Sequence, residues 1–260
     1  MRPNGYPWGL FGILLAGAVC GLVASFPFVF SLYAELLVNP PVPLPVVLLL
    51  SMLQNTVILA LLIGVGLILT AKVGLPGAPL IEDWRSGKST GERLREIIQP
   101  ALMTGVGVGV TLLLIMFLLL KRELPHLPLG KAALMPVWKR LLVCLYGGLT
   151  EEIMMRIFLF SLLAWLLSKV WRSGAGAPGR QVFWAANIIL GLLFGLGHLA
   201  SVVPLMPITL NVVVAALLLN SIASLAFTHL YWRRGLEAAM LAHFITDILL
   251  YVIGASFIQR

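Results

Sequence analysis

Six ionisable side chains fall inside runs of apolar residues: Glu151, Glu152 and Arg156 in Thr-Glu-Glu-Ile-Met-Met-Arg, His198 at the end of Phe-Gly-Leu-Gly-His, and His243 and Asp247 at the two ends of His-Phe-Ile-Thr-Asp. A carboxylate and a neutral imidazole together can take a proton from water, and a second imidazole can donate a hydrogen bond to an oxyanion. Such a set can hydrolyse an amide bond without a covalent intermediate. No serine accompanies these residues in a nucleophile-elbow pattern, and neither cysteine shares a helix face with a histidine.

The charges are costly where they stand. One charged side chain at the middle of a membrane-spanning helix costs roughly 2.5–3.5 kcal/mol, so Glu151, Glu152 and Arg156 left unpaired would cost about 8–10 kcal/mol together. On a helix Glu152 and Arg156 share a face, acid before base, which favours a local ion pair. Glu151 points about 100° away and has no counter-ion on its own helix, so its partners must come from other helices. Phe194 and His198 also share a face, as do His243 and Asp247. Two histidines, an aspartate and a double glutamate on three helices are worth burying only where they meet around a wet cavity.

The rest of the chain must therefore supply membrane helices. Of its 260 residues 60% are apolar and 11% charged, and the mean hydropathy is +1.02. That composition excludes an ordinary soluble domain and points to an all-α, polytopic membrane bundle of about seven or eight spans, read as a single domain over residues 1–260. The net charge of +8 comes from bases beside apolar runs, so membrane orientation explains it and a nucleic-acid partner is not expected. Cys20 and Cys144 sit singly in apolar runs and read as packing residues, not as a disulfide framework or a metal site. The first apolar run is too long for a cleaved signal and is expected to be retained as a span.

Spans are expected near residues 9–36, 46–70, 101–120, 181–199, 208–232 and 236–258, with a further helical stretch over 132–171. Asn39-Pro40-Pro41-Val42-Pro43 makes a stiff first turn. Gln54-Asn55-Thr56, mid-span, are expected to bond to a neighbouring helix. Residues 72–99 read as a loop ending in a short, surface-lying amphipathic helix that stops before the third span. Gly105, Gly107 and Gly109, and likewise Gly191 and Gly195, allow close helix approach, and Asn187 extends the polar face of His198. The stretch 132–171 would measure about 60 Å as one helix, so a break is expected, most simply at Gly147-Gly148. Such a break would put Glu151 at a helix N-terminus inside the membrane, and Lys139-Arg140 would lie at the interface. With seven spans and the N-terminus inside, the inner set holds Arg2, five bases from Lys72 to Arg95, Lys169, Arg172, Arg180, Arg233 and Arg234. The outer set holds Lys121, Arg122, Lys131 and Arg260. An eighth span around Lys139 would alter that count. His126 reads as solvated, His229 as an interfacial residue and not a ligand, and Glu35 and Glu237 as ordinary helix-end carboxylates.

Glu-Glu-x-x-x-Arg at 151–156, Phe-x-x-x-His at 194–198 and His-x-x-x-Asp at 243–247, in that order on successive apolar helices, resemble the three motifs of the CAAX prenyl protease and bacteriocin-processing family, which are intramembrane glutamate endopeptidases. The resemblance covers about residues 130–255. It implies an eight-helix fold with a conical cavity, and no metal or other cofactor. It also implies that Glu151 and His198 activate water, that Arg156, with Glu152 and Phe194, supports the site, and that His243 and Asp247 stabilise the oxyanion. The family often has Asn where Asp247 stands. An ionised aspartate cannot donate, so either Asp247 keeps a proton, or it accepts from His243 and leaves an oriented imidazole to donate alone; the second is the preferred expectation. Implied partners are a peptide or a lipidated, membrane-anchored protein, and lipid, in a prokaryotic inner membrane. Two other readings use the same residues. One is a zinc-dependent protease; the other is a non-catalytic peptide- or lipid-binding immunity protein or scaffold.

Overall fold

The computed structural model describes residues 5–38, 42–121, 123–124, 126–171 and 178–258. Residues 39–41 of the proline turn, Arg2, Arg122, most of the 172–180 loop and Arg260 lie outside them. Helices follow one another as α1 (Trp8–Leu32), α2 (Leu44–Val73), α3 (Pro79–Arg85), α4 (Gly91–Leu119), α5 (Pro128–Ala133), α6 (Val137–Leu145), α7 (Ser161–Val170), α8 (Arg180–Val202), α9 (Leu210–Arg234), α10 (Leu236–Asp247) and α11 (Ala255–Ile258). Wide π-helical turns over Tyr146–Glu151, Ile153–Phe160 and Ile248–Gly254 join α6 to α7 and α10 to α11. Among the described residues, seven helical runs are long and apolar enough to cross a membrane, and this is an integral membrane protein. The run that begins near Lys139 is the fourth of these, Val137–Val170, and not a span added to it.

Turn chemistry sets the ends. Gly74 closes α2 at φ +72°, and Gly235 makes the α9–α10 turn at φ +99°, where a Cβ would also collide with Pro79. Thr209 caps α9, its side chain accepting from Val212 N at 3.4 Å.

Several expectations are corrected. The amphipathic stretch and the third span are one helix: α4 continues through Pro100, whose lost hydrogen bond leaves the carbonyl of Glu96 on an exposed turn where water can take it. Asn55 does not reach a neighbour; it donates to Ser51 O of its own helix at 2.8 Å and faces outward, as does Gln54. The long helical stretch breaks at residues 134–136, before α6, and not at Gly147-Gly148, so Glu151 lies within a π-helical turn rather than at a helix N-terminus. The two glycines serve close packing instead, Gly147 against Asp247 and His243, Gly148 against Phe244 and Met240 O. Arg140 is not interfacial but buried, at 5% exposure, donating to Tyr251 O and Ser256 Oγ, both at 3.2 Å. Cys20 faces outward while Cys144 is buried.

Gly105, Gly109, Gly191 and Gly195 admit a close neighbour as expected, but Gly107, on another face of α4, does not. A Cβ on Gly195 would lie 2.8 Å from Leu217 Cα of α9, and one on Gly105 2.6 Å from Ala242 O of α10, whereas Gly107 faces open space. The α4–α10 contact holds the helix that carries His243 and Asp247. Gly105→Val should therefore lower stability by about 1–3 kcal/mol, an overpacking cost read as a lower unfolding midpoint in detergent, and Gly107→Val should not.

Candidate active site

Glu152 is fully buried and holds three donors. Arg156 Nε and Nη2 donate to its two oxygens at 2.7 and 2.8 Å, and His243 Nδ1 lies 2.8 Å from Oε1. Arg156, also fully buried, turns Nη1 to Ser224 Oγ at 3.1 Å and Thr228 Oγ1 at 2.6 Å on α9. One ion pair thus ties the π-helical stretch to α9 through the guanidinium and to α10 through the imidazole. The wide turns that carry it are supported in turn. Ser161 Oγ donates to Arg156 O at 3.2 Å, Thr70 Oγ1 of α2 donates to Ile157 O at 3.2 Å, and Thr150 Oγ1 donates to Ala18 O of α1 at 2.8 Å. Two carbonyls of the wide turns, those of Arg156 and Ile157, are thus met by neighbouring hydroxyls, while Thr150 fastens the stretch to α1.

Beside this hub lies a cavity of about 190 Å³ whose walls include Glu151, Phe194, His198, His243 and Asp247. Since Nδ1 of His243 is held by Glu152, its Nε2 is the nitrogen that faces Glu151 Oε2 at 3.8 Å and Asp247 Oδ2 at 3.7 Å. Phe227 stacks on the same ring, 4.9 Å between centroids, and fixes its plane. His198 Nδ1 lies 2.9 Å from Phe194 O. A carbonyl only accepts, so Nδ1 carries the proton and Nε2 of a neutral His198 is left as an acceptor. Phe194 meets His198 edge-on at 4.4 Å, packing it between the helix and the cavity.

All four proposed reacting groups, Glu151, His198, His243 and Asp247, border one cavity, with Glu152 and Arg156 directly behind it. Two expectations change. Asp247 does not orient His243 by a hydrogen bond; Glu152 does, on the opposite ring nitrogen. Asn187 does not extend the cavity face but donates to Leu225 O at 3.1 Å, fastening α8 to α9. His229 stacks on Trp184 at 5.5 Å and takes no part in the cavity, and His126 is exposed. Glu237 accepts from Ile81 N at 2.9 Å and so ties α3 to the start of α10. Among the described residues, no three His, Cys, Asp or Glu groups are spaced to hold a metal ion.

Several site-forming residues escaped the sequence reading: Asn220, Tyr146 and Tyr251 on the cavity wall, Phe227 on His243, and Ser224 and Thr228 on Arg156. Asn220, Ser224 and Thr228 recur every four residues in an apolar span, and that polar stripe was a readable signal.

Residues 133–249 match the family model described as Rce1-like, type II CAAX prenyl endopeptidase. No curated protein and no solved structure matches the chain. The matched segment runs from the end of α5 to just beyond α10 and contains every carboxylate and histidine of the cavity and the Glu152–Arg156 pair behind it. Over that segment, just under half of the 260 residues, the chain is similar to the type II CAAX prenyl endopeptidases.

Proposed function

We propose that this membrane protease hydrolyses a peptide bond of a membrane-associated protein or peptide by a water that Glu151 and His198 activate. The observation that carries the reading is the shared cavity wall, where the carboxylate of Glu151 and His198, with its open Nε2, stand beside an imidazole held from behind. The water oxygen attacks the carbonyl carbon and its proton passes to Glu151 or His198. The carbonyl π pair moves onto oxygen, and the resulting oxyanion accepts a hydrogen bond from His243 Nε2. Collapse breaks the C–N bond, and the leaving amine takes up the proton. A ring that donates from Nε2 while Nδ1 donates to Glu152 is the doubly protonated imidazolium, so Glu152 is a positioning residue for the oxyanion site.

Purified protein in detergent or lipid should cleave an apolar quenched-fluorescence peptide, and His198→Ala should not. Cleavage that survives a strong chelator fits the metal-free route; loss restored by zinc would replace it with the zinc reading. Equal binding without cleavage by wild type and variant would make the chain a binding scaffold instead. Asp247→Asn should keep most of the wild-type turnover, because Glu152 and not Asp247 orients His243. A collapse of turnover in that variant would assign Asp247 an essential negative charge.

A further inference from the structure

The cavity occupies one half of the bundle. Its lining starts at Leu112 in α4, Phe194 in α8 and His243 in α10 and continues toward the C-terminal ends of those runs. From α6 and α9, which run the other way, it takes Val143 to Glu151 and Val212 to Phe227. Glu151, Phe227 and His243 close it at mid-span, while Leu127 and Leu129 beside α5 and Ser201 at the end of α8 line its far end. That half is bounded by the α4–α6 connection and the α8–α9 turn.

Charge separates the two ends. Connections at the end away from the cavity carry five bases from Lys72 to Arg95, then Lys169, Arg172 and Arg180, then Arg233 and Arg234. The connections at the cavity end carry half as many, Lys121, Arg122, Lys131, Lys139 and Arg140, with Arg260 at the C-terminus against Arg2 at the N-terminus, and neither the α8–α9 turn nor the α1–α2 connection has a Lys or Arg. Two of those five are drawn into the bundle, Lys139 donating to Ser31 Oγ at 2.7 Å and Arg140 to Tyr251 O and Ser256 Oγ. Bases retained on the cytoplasmic side set the orientation of a membrane protein. We infer that the cavity opens to the non-cytoplasmic half of the membrane, and that its substrate is an apolar membrane-anchoring segment of an exported protein, cut at an internal bond.

The lining fits such a segment. It is mainly Leu, Val, Met, Ala and aromatic side chains, with Glu151 and Asp247 as its carboxylates and, among the described residues, no Lys or Arg to receive a chain-end carboxylate. A lipidated C-terminus on the cytoplasmic face would have to cross half the bilayer to reach Glu151. The substrate part of this inference rests on the protease reading above; the orientation part does not.

Two experiments separate them. In a Cys20→Ser background, which leaves only the buried Cys144 and serves as the labelling control, single cysteines are placed at the exposed positions Val203 and His126 on the cavity side, and Lys88 and Arg234 on the other. Val203→Cys and His126→Cys should react with an impermeant maleimide in intact cells, and Lys88→Cys and Arg234→Cys only after permeabilisation; the reverse pattern overturns the orientation. Protein termini are then compared between cells making wild type and Glu151→Gln. Termini lost in the variant should map to apolar segments at or beyond the non-cytoplasmic membrane face. If they map to cytoplasmic tails, hydrolysis stands and the substrate class falls. If no terminus differs, the protease reading fails, and the substrate class with it.

Discussion

Glu151→Gln should reduce turnover of a cleavable peptide by about 10²–10⁴-fold, the usual contribution of a positioned general base, with peptide binding unchanged. The amide keeps the size and one acceptor oxygen of the carboxylate but cannot take up the proton of the attacking water. Folding should be little affected, because Glu151 is the one acid of the glutamate pair outside the buried hub. It lies 3.8 Å from His243 Nε2, beyond hydrogen-bond distance, whereas Glu152 is held by three donors. The measurement is kcat for wild type and variant on one peptide, beside their unfolding midpoints. An unchanged kcat would remove Glu151 from the reaction. A kcat loss matched by an equally large loss of stability would reduce it to a structural residue.

What could be read from the chain, and what could not, divides by distance along it. The Glu152–Arg156 pair was legible because both residues lie on one helix, four apart, where geometry leaves little choice. Gly191 and Gly195 announced a close neighbour, and α9 is that neighbour. The three short motifs announced a common cavity because burying charges on separate helices is otherwise unrewarded. Sequence spacing could not show which nitrogen of His243 is held, or by what: Glu152 and His243 are 91 residues apart, and only packing of α10 against the π-helical stretch brings them to 2.8 Å. Nor did it reveal the wide turns. Gly147-Gly148 suggests a bend to a reader of local propensity, while the third dimension uses the same glycines to admit Asp247 and Phe244. Arg140 was misplaced for a related reason, since a base near the end of an apolar run reads as interfacial until a carbonyl and a hydroxyl from the last span are seen to receive it.

Arg156→Ala should cost about 3–5 kcal/mol of stability, the penalty for leaving one partner of a buried pair without the other. Both side chains are fully buried, so water cannot replace the guanidinium around Glu152, and Ser224 and Thr228 lose their contact with the π-helical stretch as well. Turnover should fall too, because a Glu152 carboxylate released from Arg156 can leave His243 Nδ1 and let the imidazole turn. Replacing the whole pair separates these effects. A Glu152→Met, Arg156→Met double variant removes both buried charges and should recover much of the stability lost in Arg156→Ala, since apolar replacements of buried ion pairs are often neutral. It should not recover turnover, because His243 would still lack its acceptor. Unfolding midpoints and kcat for the single and double variants form the test. Recovery of both quantities would mean that the pair serves only to hold the helices together. Recovery of stability alone would mark Glu152 as the group that aims His243.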